Sequence, residues 1–184
     1  MTASIAVLVG SLRKDSFTRK VAHAIASVTP GLSFSYVEIG NLPLYDQDAE
    51  AAPPAAWTAL RAALRGAAGY LFATPEYNRS VPGVLKNAID IASRPYGQSG
   101  FGSKKPAAVV SVSPGALGGF GANHHLRQSL VFLDLVVMAQ PEMYVNNAAK
   151  LFDASGALAA DDTKALFTKF GAAFTAWVAQ HAAK

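Results

Sequence analysis

Short apolar runs alternate along the chain with segments whose apolar residues recur at helical spacing. The runs predict five strands, near residues 4–9, 34–39, 69–73, 106–113 and 135–139. The helical spacing predicts helices at 17–28, 54–68, 81–93, 122–133 and about 161–182. Strands that alternate with helices in this way indicate one α/β domain over residues 1–184, with a parallel sheet covered by helices on both faces.

The spacing within two of these helices also predicts which side chains face the core. The expected stripe of the second helix consists of Trp57, Leu60, Leu64 and Ala67. The expected stripe of the last helix consists of Leu166, Phe170, Phe174, Trp177 and His181. Both stripes are rich in large apolar groups, as the helices of a single well-packed domain require.

Composition narrows the class of protein. The chain has 184 residues, of which 51% are hydrophobic and 15% charged, which excludes a disordered protein. No apolar run reaches the roughly 18 residues of a membrane-spanning helix, and the N-terminal run is too short for a signal peptide. We therefore expect a cytoplasmic protein without a membrane span. The absence of cysteine excludes disulfides and thiolate chemistry, so any redox chemistry must belong to a cofactor.

The chain is basic, with a formal net charge of +4 and a pI near 9.4. Its lysines and arginines are scattered, which favours a solvated surface over a nucleic-acid site. Such a surface still suits small anions. The histidines lack the spacing of metal ligands, so no metal site is expected. They are His23, His124, His125 and His181.

The loop after the first strand offers the groups that bind a phosphate. The positive end of a helix lies there beside four polar side chains, Ser11, Arg13, Ser16 and Thr18. The segment has neither the Gly-Lys-Ser/Thr of a Walker loop nor the glycines of a dinucleotide fingerprint. In a simpler interpretation Ser16 only caps the helix, which leaves Ser11 and Arg13 unexplained. A phosphate loop at this point favours the flavodoxin-like strand order 2-1-3-4-5.

The loop after the third strand is a second dense cluster of polar groups. An acid, an aromatic ring, an amide, a guanidinium and a hydroxyl follow one another from Glu76 to Ser80. Pro75 favours an extended residue before it, and Pro82 suits the first turn of a helix. Ligands of α/β proteins bind in such loops, at the carboxyl ends of the strands. The alternative interpretation is an ordinary polar surface turn.

Three longer motifs contain or follow these loops. They are Gly-Ser-Leu-Arg-x-x-Ser-Phe at 10–17, Thr-Pro-Glu-Tyr-Asn-x-Ser-x-Pro-Gly-x-Leu-Lys-Asn-Ala-Ile-Asp at 74–90, and His-Leu-Arg-Gln-x-Leu-Val-Phe-Leu-Asp at 125–134. Together they resemble the NADPH-dependent FMN reductase family, and within it the quinone and chromate reductases. The resemblance covers most of the chain, from Gly10 to about Glu142.

The resemblance implies that FMN is the cofactor and NAD(P)H the co-substrate. The residues that it assigns to FMN, many of them through main-chain groups, are Ser11, Arg13, Ser16, Phe17, Thr18, Pro75, Glu76, Tyr77, Asn78, Arg79, Ser113 and Gly115. It places the glycine-rich loop that starts at Ser113 beside the pyrimidine end of the flavin, where backbone N–H groups can approach the ring. Tyr77 and Asn78 are the candidates for framing the substrate.

Arg94 is a further candidate for substrate binding, at the predicted end of the third helix. Two interpretations remain open from the sequence. Its guanidinium either attracts an anionic acceptor or a nicotinamide phosphate, or it only complements the helix dipole.

The activity implied by the resemblance is transfer of two electrons from NAD(P)H through FMN to quinones, chromate or azo compounds. It follows a ping-pong sequence and needs no dedicated catalytic side chain. One alternative is a flavodoxin-type one-electron carrier, although such carriers are usually acidic and this chain is basic. Another is a flavin-binding regulatory protein.

The resemblance also implies a homotetramer with flavin sites near the subunit contacts. The candidates for the interface are His124, Arg127 and Glu142, where Glu142 would accept hydrogen bonds from a neighbouring subunit. The alternative is that all three are solvated surface groups, since exposed ion pairs contribute only about 0–1 kcal/mol.

Overall fold

The computed structural model describes residues 2–153 and 155–181. Its strands are β1 (Ala3–Val9), β2 (Leu32–Val37), β3 (Gly69–Pro75), β4 (Pro106–Val112), β5 (Val136–Val137) and β6 (Met143–Val145). Its α-helices are α1 (Phe17–Ser27), α2 (Ala55–Arg65), α3 (Gly83–Ala92), α4 (Phe120–Phe132) and α5 (Asp161–His181). Short 3₁₀ turns lie at Gln47–Ala51 and Ala148–Lys150. The predicted helices are therefore all present, with ends shifted by a few residues.

The strands form one parallel sheet in the order β2-β1-β3-β4-β5, which confirms the predicted order. The fifth position differs from the prediction because two short strands share it. β5 pairs with the start of β4, from Pro106, whereas β6 pairs with its end, at Val112. Pro141 lies between the two and has no N–H to donate to a ladder. The sheet thus has six strands in five positions.

Each face of the sheet buries its own core, because alternate residues of a strand point to opposite faces. In β1, Ile5 and Val7 pack with α1 and α5 on one face. Ala6 and Leu8 pack with α2, α3 and α4 on the other face. The predicted covering of both faces by helices is confirmed. Among the described residues, no helix is long and apolar enough to cross a bilayer.

The predicted core stripe of the last helix is wrong in part. Leu166 is 46% exposed, and its neighbour Phe167 is buried instead. Gly171 explains the difference, because α5 lies so close to Thr29 at this point that no side chain fits there. The face of α5 that is buried at this contact consists of Phe167, Phe170, Gly171, Phe174 and Val178. In α2 the expected Trp57, Leu60 and Leu64 are buried, together with Arg61, whose Nε donates to Ile91 O at 3.0 Å. Ala67 is also buried, but it lies beyond the end of the helix.

Candidate functional site

The carboxyl ends of β1, β3 and β4 meet at one edge of the sheet, and the loops that follow them enclose a cleft. This is the place where doubly wound sheets bind ligands. The cleft has a volume of about 250 Å³. Its lining consists of Ser11, Arg13, Ser16, Phe17, Thr18, Pro75, Glu76, Tyr77, Val112, Ser113 and Pro114. The structure thus brings together nine of the side chains predicted from sequence, and it adds Val112 and Pro114.

At one end of the cleft, hydrogen-bond donors converge at the start of α1. Ser16 caps the helix, since its Oγ accepts from Arg19 N at 3.2 Å. Within the described chain, no protein acceptor bonds the N–H groups of Phe17 and Thr18. The first turn of α1 carries no acidic residue. Ser16 thus caps the helix, as the simpler interpretation expects, and it also lines the cleft.

Two buried hydroxyls and one cation complete this end of the cleft. Ser11 and Thr18 are each only 3% exposed. In the part of the chain that the structure describes, neither hydroxyl has a protein partner, nor does Arg13 have a carboxylate within ion-pair distance. All three side chains line the cleft, where they are available to a ligand. Unpaired N–H groups, hydroxyls and a guanidinium are the donors that an oxyanion such as a phosphate requires.

The loop after β3 forms a tight turn beside the cleft. Tyr77 and Ser80 exchange backbone hydrogen bonds of 3.1 and 3.0 Å. Between them Asn78 and Arg79 have φ angles of 52° and 65°, the left-handed conformation that a type I′ turn requires at both central residues. Tyr77 is 48% exposed and lines the cleft. The side chains of Asn78 and Arg79 are exposed and line no part of it, so the turn presents Tyr77 to the cleft.

The side chain of Glu76 is bound to the protein itself. Its Oε2 accepts from Ala122 N at 3.0 Å, at the first turn of α4, and its Oε1 lies 3.3 Å from Arg79 Nη1. The side chain is only 12% exposed. A carboxylate at this place satisfies an otherwise free N–H and complements the helix dipole. Sequence reasoning missed this contact, although the α4 N-cap, Gly119, has no side chain that could cap the helix.

The third loop, after β4, is fixed by hydrogen bonds to the protein itself. Ser113 N donates to Val145 O at 2.9 Å, and Ser113 Oγ accepts from Gly115 N at 3.1 Å. The N–H of Gly115 is therefore engaged within the loop. Gly119, with φ of 77°, lies so close to Ser111 that an added Cβ would be 3.0 Å from the Cβ of that serine. This glycine serves close packing of the loop against β4.

Arg94 does not reach the cleft. It lies beyond the end of α3, in a separate cavity of about 410 Å³ between α3 and α4. Lys86, Ser93 and Phe132 also line this cavity. The guanidinium carbon of Arg94 is 4.0 Å from the centre of the Tyr96 ring. The structure thus separates this predicted substrate residue from the other site residues of the chain.

The three candidates for the subunit interface lie in one surface region, where they contact their own chain. His124 Nε2 lies 2.9 Å from Tyr144 OH. Arg127 donates to Asn123 Oδ1 at 2.8 Å and to Met138 O at 2.9 Å. Because of these two hydrogen bonds, Arg127 is part of the fold, in contrast to the solvated group of the alternative interpretation. Glu142 lies near Tyr144: burial, followed by the hydrogen bond and negative charge of Glu142, raises the pKa of Tyr144 to about 12.

The described residues contain no cluster of three or more His, Asp or Glu side chains that could hold a metal ion. The cleft offers backbone donors, hydroxyls, the cation of Arg13 and the ring of Tyr77, beside the carboxylate of Glu76. Such donors suit an anionic group such as a phosphate.

Comparison with known proteins gives a consistent result. The chain matches the family described as NADPH-dependent FMN reductase over residues 3–150. It is 59% identical over 177 residues to a quinone reductase of Pseudomonas putida, with 95% of this chain and 94% of that protein covered. It is 48% identical over 179 residues to a 2-hydroxy-1,4-benzoquinone reductase of Burkholderia sp., with 97% of each covered.

A solved structure extends the similarity to the fold. FerB of Paracoccus denitrificans, a flavoenzyme NAD(P)H:(acceptor) oxidoreductase, has a TM-score of 0.92 and 38% sequence identity. The alignment covers 98% of this chain and 100% of that one. The similarity therefore includes all three loops of the cleft.

Proposed function

We propose that this chain, which belongs to the NADPH-dependent FMN reductase family, reduces quinones with electrons from NAD(P)H by a ping-pong sequence. Membership of this family indicates FMN as the cofactor and NAD(P)H as the co-substrate. The observation that carries the proposal is the set of unpaired donors at the start of α1, in a cleft at the carboxyl edge of the sheet.

The residues of the cleft fit FMN. Ser11, Thr18 and the first N–H groups of α1 offer neutral donors, and Arg13 adds a charge-assisted one for the phosphate. Pro75, Tyr77, Ser113 and Pro114 line the remainder of the cleft and would border the flavin ring. Asn78 and Arg79 would contribute through the backbone of their turn, because their side chains point away from the cleft.

When bound, FMN supplies the redox chemistry, since it can accept a hydride equivalent from NAD(P)H and pass two electrons to an acceptor. The side chains of the protein would bind and orient the cofactor. Glu76, the only carboxylate of the cleft lining, is engaged with Ala122 and Arg79. We therefore assign no catalytic side chain, and protons would come from solvent.

The shape of the site supports the ping-pong order. Tyr77 separates the cleft from a neighbouring cavity of about 390 Å³, which Leu12, Pro82 and Val84 also line. This cavity would receive NAD(P)H and the acceptor in turn. Because it is open and Arg13 also lines it, we include the anion chromate as a further acceptor, and its largely apolar lining suits azo compounds beside quinones. The names of the relatives support the quinones.

The proposal includes a homotetramer. Leu117, Phe120, Val131 and Phe132 are exposed along α4 and in the loop before it. Exposed apolar groups in one region favour a protein contact. His124 and Glu142 lie beside this surface and would contribute polar contacts at its edge, and Arg94 would reach an acceptor only if a neighbouring subunit brings the two together.

Initial-rate kinetics test the proposed function. The purified protein, saturated with FMN, should oxidise NADPH or NADH in the presence of 1,4-benzoquinone, and double-reciprocal plots at several quinone concentrations should give parallel lines. Intersecting lines would exclude the ping-pong order. Failure to bind FMN would overturn the proposed function. A protein that binds FMN and oxidises no NAD(P)H with any quinone would also overturn it, and would favour a one-electron carrier.

A further inference from the structure

The turn from Tyr77 to Ser80 projects from the protein and has an internally fixed shape. Its two backbone hydrogen bonds and two left-handed residues define its form. They do not define its position relative to the cleft. Because Tyr77 borders both the cleft and the neighbouring cavity, the position of this turn decides what the open side of the site can accept.

Two side-chain contacts attach the base of the turn to α4, one on each side. Before the turn, Glu76 accepts from Ala122 N at 3.0 Å. At the last residue of the turn, Ser80 Oγ and His125 Nδ1 form a hydrogen bond of 3.0 Å. Which of the two donates depends on the tautomer of the imidazole. Ala122 and His125 are three residues apart in α4, so they lie on the same face of the helix.

The backbone packs closely at the same place. A Cβ at Gly121 would lie 2.8 Å from Arg79 O and 3.0 Å from Glu76 Oε2, so only glycine lets α4 approach the turn this closely. The start of α4 and the turn therefore form one unit. His125 lines neither cavity beside Tyr77 and is not among the residues assigned to FMN.

We propose that His125 is a positioning residue, which fixes Tyr77 at the open side of the site by binding Ser80. The proposal rests on the proposed function, since it concerns the binding of the electron acceptor there. His125 would contact neither FMN nor the acceptor, and its effect passes through the turn. Loss of the bond should loosen the turn and weaken acceptor binding, while FMN stays bound.

Trypsin offers a direct measure of the turn, because Arg79 is exposed at its centre. In the full chain, His125→Ala and Ser80→Ala should each speed cleavage after Arg79 about fivefold, as expected for loss of one hydrogen bond. The double variant should be cleaved no faster than either single variant. His125→Asn should resemble the wild type, because its amide can replace Nδ1. Ser129→Ala is the matched control, since its hydroxyl bonds only the carbonyl of His125 within α4.

Kinetics of the FMN-loaded protein then separate positioning from simple stability. We expect KM for the quinone to rise in His125→Ala and Ser80→Ala, with kcat changed less and no further rise in the double variant. Unchanged cleavage after Arg79, multiplied effects in the double variant, or a loosened turn with unchanged KM would each overturn the proposal. A wild-type protein without quinone reduction would overturn the proposed function, and the cleavage pattern would still report the contact.

Discussion

The carboxylate of Glu76 accepts a hydrogen bond from the backbone N–H of Ala122, with 3.0 Å between Oε2 and N. This contact joins the loop after β3 to the first turn of α4. Gly119, the N-cap of that helix, cannot provide an acceptor of its own. A residue that the motif resemblance proposes for cofactor binding thus supports the helix that carries His124 and His125.

Replacement of Glu76 should therefore reduce stability as well as cofactor binding. Glu76→Ala should lower the free energy of unfolding by about 1–2 kcal/mol, because the N-terminus of α4 loses its acceptor. Glu76→Gln should recover most of this loss, since its amide oxygen can accept the same bond. Arg79→Ala removes only an exposed ion pair and should cost less than about 0.5 kcal/mol. Urea denaturation of the apoprotein measures all three, and equal stability of Glu76→Ala and Arg79→Ala would contradict the assignment.

Tyr36 and Tyr70 should respond in opposite ways to replacement by phenylalanine. Among the described residues, the buried hydroxyl of Tyr36 has no hydrogen-bond partner. Tyr70 OH donates to Leu64 O and accepts from Gly102 N, both at 3.1 Å. At pH 7 we expect Tyr36→Phe to preserve or raise stability, whereas Tyr70→Phe should lower it by about 1–3 kcal/mol. Thermal unfolding of the two variants decides this, and a marked loss in Tyr36→Phe would show a missed partner.

Tyr36 should also make the stability of the protein depend on pH. Burial raises the pKa of Tyr36 to about 12 from its ordinary value of 10.0. The folded protein favours the protonated phenol, so this contribution to stability is complete below pH 10 and is lost as the pH rises toward 12. The wild type should therefore lose stability relative to Tyr36→Phe over this interval. If the difference in unfolding free energy between the wild type and Tyr36→Phe stays constant from pH 10 to 12, the effect is excluded.

The exposed residues of α4 provide a test of assembly. Phe132→Lys should shift the protein toward smaller species, because a charge replaces an exposed apolar side chain in the proposed contact. Leu44→Lys changes an equally exposed leucine in another part of the chain and should leave assembly unchanged. Light scattering over a dilution series measures both. A wild-type protein that is monomeric at micromolar concentration would show that the proposed tetramer is wrong.

The sequence was sufficient to predict the strand order and the two polar loops, because both follow from local patterns. It was insufficient where packing between segments that are distant in the chain determines which residues are buried or in contact. Leu166 and Phe167 are both apolar, and the close packing of α5 against Thr29 at Gly171 accompanies the burial of Phe167. The partner of Glu76 lies 46 residues away in the chain. Likewise, the end of α3 alone could not show that Arg94 faces a cavity apart from the cleft.

The phosphate end of the site can be tested without disturbing the helix. Ser16 caps α1, so its replacement would also cost stability, whereas Ser11 lies outside the helix. Ser11→Ala combined with Arg13→Ala should weaken FMN binding about a hundredfold, since charge-assisted bonds contribute roughly 1.5–3 kcal/mol each. Lys169→Ala removes one exposed positive charge that does not line the cleft and serves as the control. Similar losses in the two proteins would indicate a general charge effect.

The most direct measurement compares the binding of FMN and riboflavin to the wild-type apoprotein by titration calorimetry. The two ligands differ only in the phosphate, which the donors at the start of α1 are proposed to hold. We expect FMN to bind about a hundredfold more tightly than riboflavin, and most of this preference to disappear in the variant with Ser11→Ala and Arg13→Ala. Equal affinity of the wild type for the two ligands, or no binding of either, would exclude the proposed cofactor site.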